Sequence, residues 1–390
     1  MLRTYRIDWF ILLSLFCASS TGANYSNAAE TDSIHRVYIG TYTGKASQGI
    51  YVAEFDSATG KLSVPRLASR AENPSFIAIH PSGKYLYAAN EIERFQGKST
   101  GGISAYSINP ADGELTVLNQ LASGGGAPCH LSLDPTAKVL FSANYSGGNI
   151  AAFLIAPDGK LLSRSSFVQH EGKSVNASRQ EAPHAHAVNC DPSGKFVFAN
   201  DLGLDKVMIY KLDAATGKLT TGELKSLDVK PGSGPRHLAI KEKYVYVLNE
   251  LGSSVTVFDC DLDSGKSIEL QMISTLPNNE SGNNGCAEIV IHPTLPYVYA
   301  SNRGHDSLAI FERDAATGKL TAKGHVKTGF KTPRNFVIDP TGTFCLVGSQ
   351  STDEVYVHRI NHKTGQMELV GEPVIVGMPV CLRFAPQAQP

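Results

Sequence analysis

The chain has one tryptophan, Trp9, no Cys-x-x-Cys pair among its seven cysteines, and no block of basic residues at a net charge of -1. With no tryptophan per repeat, a Trp-Asp propeller scaffold is disfavoured. Without paired cysteines there is no cysteine zinc site. Without a basic block there is no electrostatic footprint for nucleic acid or an anionic membrane. Long apolar runs are also missing: the longest, Trp9 to Ala18, covers about half of the roughly twenty residues a membrane-spanning helix needs. It follows Arg3 and Arg6 and precedes small and polar residues through Ser26-Asn-Ala28, so residues 1–29 read as a secretory signal peptide. The expectation is export, periplasmic or extracellular, with no membrane attachment after cleavage. Ser14-Leu-Phe-Cys17 lacks the small residue that precedes a lipidated cysteine. The six later cysteines are scattered singly through strand-like segments and read as buried free thiols. There is no Gly-x-Ser-x-Gly elbow, so a covalent serine mechanism has little support.

What is present is turn chemistry and repetition. Hydrophobic residues make up 42% of the chain and charged ones 18%, with 36 Gly and 20 Pro, which suits a large all-β domain and argues against disorder. One phrase recurs seven times, as Pro74-Ser-Phe-Ile-Ala-Ile-His-Pro81, Pro128-Cys-His-Leu-Ser-Leu-Asp-Pro135, His184-Ala-His-Ala-Val-Asn-Cys-Asp-Pro192, Pro235-Arg-His-Leu-Ala-Ile-Lys-Glu242, Cys286-Ala-Glu-Ile-Val-Ile-His-Pro293, Pro333-Arg-Asn-Phe-Val-Ile-Asp-Pro340 and Pro379-Val-Cys-Leu-Arg-Phe-Ala-Pro386. Its spacing of roughly fifty residues is that of propeller blades. Six copies lead into a second strand such as Tyr85-Leu-Tyr-Ala-Ala-Asn90 or Tyr244-Val-Tyr-Val-Leu-Asn249, and a Gly turn such as Thr59-Gly-Lys-Leu62 or Thr317-Gly-Lys-Leu320 occurs once per repeat. The seventh copy has no continuation, whereas Val37-Tyr-Ile-Gly-Thr41 has no preceding copy. Residues 34–390 therefore read as one domain, an all-β seven-bladed propeller of four-stranded antiparallel blades, its first blade closed by the C-terminal strand.

In such a fold the phrase is the innermost strand, and its start and the end of the next strand share one mouth of the central channel. Long connections fall there too, from Glu91 to Gly101, Gln169 to Ala182 and Leu276 to Gly285. Across the repeats, the strand starts place His130, His186, Arg236, His237, Glu288, Arg334 and Asn335 at this mouth. Residues after the second strand add Glu91, Tyr145, Asp201, Glu250 and Arg303, and His184 stands at the edge of an insertion. A ring of polar groups does nothing for blade packing and is costly to desolvate, which marks it as a candidate site.

Pro183-His-Ala-His186, Gly234-Pro-Arg-His237, Leu248-Asn-Glu250, Ala287-Glu288 and Ser301-Asn-Arg303, each in its own blade, resemble the seven-bladed-propeller lactonases, the family of a bacterial 6-phosphogluconolactonase and the fungal carboxy-cis,cis-muconate cyclase. The resemblance implies a catalytic set of His186, Arg236, Glu250 and Arg303; the remaining polar residues of the mouth, His130, His184, His237, Glu288, Arg334, Asn335, Glu91, Tyr145 and Asp201, read by their positions in the repeats as substrate-binding candidates. It implies hydrolysis of a lactone such as 6-phosphogluconolactone, whereas the expected export points equally to an unphosphorylated sugar lactone or another cyclic ester. Such residues can do this chemistry: a guanidinium stabilises the oxyanion, Glu250 or His186 moves the proton, and the remaining Arg holds a carboxylate or phosphate. The expected partner is a small lactone or cyclic carboxylate, with no nucleic acid, no cofactor and no metal. Cycloisomerisation of the muconate-cyclase type uses the same residue types and stays open. A non-enzymatic exported binding propeller is the rival of another class, and the unequal residues around the mouth speak against it.

Overall fold

A computed structural model of the chain describes residues 1–2, 33–278, 280 and 282–386. Apart from Met1 and Leu2, the expected signal segment lies outside them. No helix among the described residues is long and apolar enough to cross a membrane. Ser33–Pro390 form one unit of seven antiparallel sheets.

The strands form because alternate residues serve different neighbours. In Tyr244–Asn249 of the fifth blade every residue is buried. Tyr244, Tyr246 and Leu248 pack with Val298, Ala300 and Phe311 of the sixth blade, whereas Val245 and Val247 pack with Phe198, Val207 and Ile209 of the fourth. The two-residue period thus divides one strand between two blade interfaces. Blades two to six each run outward through four strands. The first and seventh break their outermost strand in two, at Lys61–Leu62 with Arg66–Arg70 and at Met367–Leu369 with Val374–Ile375.

The ring closes where the repeats predicted. Pro379–Phe384 pairs antiparallel with Ile34–Thr41, Val37 opposite Phe384, and supplies the innermost strand of the first blade. It touches the innermost strands of both neighbours, Pro333–Ile338 and Pro74–Ile79.

Neighbouring blades are also stapled at the Gly turns. Tyr38, Tyr87, Tyr246 and Tyr299 donate their phenolic hydrogens to the carbonyls of Gly113, Gly159, Gly318 and Gly365 in the following blade, at 2.9, 3.1, 2.9 and 3.0 Å. Gly318 is required twice over: its φ is 71°, and a Cβ there would lie 2.3 Å from the Tyr244 ring. Tyr246→Phe therefore costs about 1 kcal/mol of unfolding free energy, and Gly318→Ala costs more. Urea unfolding of the two variants checks the order, and equal stability in both would contradict it.

Candidate active site

In every blade the ladder between the two innermost strands slips by one residue at the same place. In the fifth blade Pro235 faces Asn249 and His237 faces Leu248, so Arg236 has no partner across the ladder. The equivalent residues are Ser75, Cys129, His186, Arg334 and Val380. In the sixth blade Ala287 and Glu288 together face Ser301. A bulge re-aims its side chain away from the sheet face.

Glu250 is the centre of the cluster that results. Its Oε1 accepts a hydrogen bond from Arg179 Nη2 at 2.8 Å, and its Oε2 lies 2.9 Å from both Arg236 Nε and Arg303 Nη2. The Arg236 N–H is not aimed at that oxygen, so this contact is electrostatic rather than a hydrogen bond. Burial alone would push the Glu250 carboxyl up, but Arg303, Arg236 and Arg179 outweigh it and hold it at about 2. Two of the guanidiniums are fixed by backbone. Arg236, 2% exposed, donates from Nη1 to the Ala287 carbonyl, and Arg303 donates from Nε and Nη2 to the Gly285 and Cys286 carbonyls, at 3.1 Å each. Burial, then Arg303 and Arg334, bring Arg236 down to about 9, which leaves it charged at neutral pH. Its Nη2 and the Nη1 of Arg303 make no hydrogen bond with the described residues.

His186 stands beside this cluster. Its Nδ1 is 3.8 Å from the Cys129 thiol, and its ring is edge-on to Tyr145 and His237. Burial and then the Arg236 charge hold it well below the usual histidine range. His186 Nε2 has no hydrogen-bond partner among the described residues.

Arg179 was not among the residues singled out in the sequence, although the loop that carries it was. Asp201 pins that loop: its carboxylate accepts the backbone N–H groups of His184 and Gly203 and lies 2.6 Å from His170 Nδ1. Asp205 binds Ser174 from the other side, and Gln180 donates to the Leu202 carbonyl. Tyr145 accepts a hydrogen bond from Arg179 and stacks at 4.6 Å on His184, which is also 3.3 Å from Glu181. Asp201 is fully buried beneath the loop, and Tyr145 and His184 prop its tip.

Four other candidates meet one residue further down the channel. His130 packs on Phe76 at 4.2 Å and edge-on to His237 at 5.1 Å. His237 Nδ1 lies 2.9 Å from Glu288 Oε1, Asn335 Nδ2 donates to Glu288 Oε2, and Asn335 Oδ1 accepts from Leu382 N at 2.8 Å. Burial pushes Glu288 up, but His237 and Arg383 outweigh it and keep it below the usual range. This tier joins the fifth, sixth, seventh and first blades. Glu91 and Arg334 sit across the mouth: the Tyr42 hydroxyl lies 2.8 Å from both Glu91 carboxylate oxygens, and Arg334 lies over the Tyr42 ring at 5.3 Å. No group of three or more His, Cys, Asp or Glu among the described residues could hold a metal ion. All six described cysteines are free thiols.

The family model of the seven-bladed β-propeller lactonases matches residues 36–384. The chain belongs to that family. It is accordingly an enzyme of the carboxylic ester hydrolase class. It is 38% identical over 352 residues to the 6-phosphogluconolactonase of Bacillus subtilis, covering 90% of this chain and 98% of the relative. It is 30% identical to the 6-phosphogluconolactonase of Formosa agariphila, covering 87% and 96%. The periplasmic gluconolactonase of Pseudomonas aeruginosa superposes with a TM-score of 0.85 at 31% identity, covering 90% and 99%.

Because Glu250 titrates near 2 in the fold against an ordinary 4.5, the cluster's contribution to stability is complete above pH 4.5 and is lost as the pH falls toward 2. Glu250→Gln leaves three guanidiniums without their anion and lowers the unfolding free energy by roughly 3–5 kcal/mol at neutral pH. It also flattens the loss of stability between pH 4.5 and 2. Denaturant unfolding across that range checks both effects, and wild-type stability in the variant would contradict the cluster.

Proposed function

We propose that the protein is an exported lactonase that opens sugar lactones with His186 as general base and Arg236 and Arg303 as oxyanion stabilisers. One observation carries this reading: a neutral imidazole with an unpartnered Nε2 lies beside two guanidiniums fixed by backbone carbonyls. Water attacks the lactone carbonyl carbon and loses a proton to His186 Nε2. Negative charge grows on the carbonyl oxygen, where donors held in place beforehand are worth a few kcal/mol. The ring C–O bond then breaks, the proton returns to the ring oxygen, and a hydroxy acid leaves.

Glu250 is a poor base in this scheme, because a carboxylate held at about 2 has little affinity for a proton. Its role is to balance and orient the guanidiniums. Relatives named 6-phosphogluconolactonase and periplasmic gluconolactonase support a sugar lactone as substrate. The charged, apolar and small-residue segments from Arg3 to Ala28 support export.

His186→Asn lowers kcat/KM for glucono-δ-lactone by about a hundred- to ten-thousand-fold, the usual share of a general base. In the wild type, activity needs neutral His186, so the acid limb of kcat/KM lies well below pH 6.5. Acid release measured at constant pH tests both. An acid limb at or above 6.5, or full activity in His186→Asn, would overturn the assignment.

A further inference from the structure

Three guanidiniums meet Glu250, and the most exposed of them sets the direction of its carboxylate. The side chains of Arg236 and Arg303 are 2% and 18% exposed and are fixed by the carbonyls of Ala287, Gly285 and Cys286. Arg179 is 41% exposed and comes from the insertion between the third and fourth blades. Its Nη2 donates a hydrogen bond to Oε1 at 2.8 Å. Arg236 Nε lies 2.9 Å from Oε2, but its N–H is not aimed at that oxygen.

That mismatch has a physical cause in Arg179. A carboxylate beside a guanidinium gains most by turning both oxygens onto parallel N–H groups. For Glu250 such a turn would bring the Arg236 N–H into line, yet it would pull Oε1 off Arg179. The insertion resists this because it is anchored elsewhere: Ser174 donates to Asp205, Gln180 donates to the Leu202 carbonyl, and the Tyr145 hydroxyl accepts from Arg179 Nη2 at 3.3 Å. Arg179 is therefore held from behind and keeps Oε1 on the insertion side.

The direction matters for the reaction. A guanidinium that is forked onto a carboxylate has its charge neutralised and its N–H groups occupied, so it offers little to a developing oxyanion. With Oε1 tied to Arg179, the one oxygen Oε2 is shared by Arg236 and Arg303, at 2.9 Å from each.

We infer that Arg179 is a positioning residue for lactone opening: it holds the Glu250 carboxylate toward the insertion, keeps it from forking onto Arg236 and Arg303, and so leaves both guanidiniums open to the oxyanion. The inference deepens the lactonase reading and rests on it for the identity of the reaction. It does not rest on which residue is the base.

Two measurements on Arg179→Ala test it. In a crystal structure of the variant, Glu250 has turned and Oε1 lies within about 3.2 Å of a nitrogen of Arg236 or Arg303. In the opening of glucono-δ-lactone, kcat falls about tenfold or more, short of the roughly hundred- to thousandfold lost with an oxyanion donor itself, whereas KM changes by less than about threefold because the binding of substrate is untouched. Guanidinium ion at non-denaturing concentrations restores kcat in the variant and does nothing for the wild type, a rescue that the loss of a merely structural contact would not show. Arg179→Lys keeps the charge without the fork; it shows the same changes to a smaller degree and carries the test if Arg179→Ala does not fold. Wild-type kcat in Arg179→Ala, a loss confined to KM, no rescue, or a carboxylate that keeps its direction overturns the inference. If the wild type opens no lactone, the lactonase reading fails and the orientation of Glu250 in the variant still decides what Arg179 does; turnover in the wild type with an unmoved carboxylate in the variant does the reverse.

Discussion

Each innermost strand carries one residue more than its neighbour can pair with, and this mismatch in the ladder is what the site depends on. A strand in perfect register sends alternate side chains into the two blade interfaces, where Leu, Val and Tyr fill the space. The extra residue belongs to neither interface. Seven such residues on one ring form a surface that packing leaves free, and His186, Arg236 and Arg334 occupy three of its places. The ring just below is committed to holding blades together, through His237, Glu288, Asn335 and Arg383.

Burying charge at the bulges is expensive, and the blades divide the compensation among themselves. The sixth blade places a small residue, Ala287, at its bulge and offers backbone carbonyls there, which fix Arg236 and Arg303. The fifth supplies the counter-charge in Glu250, and the insertion before the fourth supplies Arg179 to complete it. Two guanidiniums thus keep their orientation with no substrate holding them. That is the arrangement in which donors stabilise a developing oxyanion without moving.

Much of this was legible in the chain because repetition exposes exceptions. Seven copies of one phrase give the blade number, and the copy without a continuation at Pro379 and the strand without a predecessor at Val37 give the closure. Positions that differ between copies, such as Arg236 beside Ser75, stand out against the shared apolar ones. Arg179 could not be found this way, since its loop has no counterpart in the other blades and its contacts with Glu250 and Tyr145 span 71 and 34 residues. The commitments of Asp201 were hidden for a related reason: in the sequence it follows the strand's Asn just as Glu250 does, but its carboxylate turns back to hold His170 and the backbone of its own insertion. Nor could spacing tell the mouth tier from the tier below it. That distinction comes from a single bulged residue.

The most direct measurement of the central claim, that Arg236 of the bulged ring and Arg303 at the end of the neighbouring second strand form an oxyanion-binding site beside His186, is a crystal structure with gluconate bound. The product carboxylate is predicted to place an oxygen within about 3.2 Å of a guanidinium nitrogen of each arginine, with His186 Nε2 facing the carboxyl carbon. A carboxylate that contacts neither arginine, or gluconate bound at the opposite end of the channel, would contradict it.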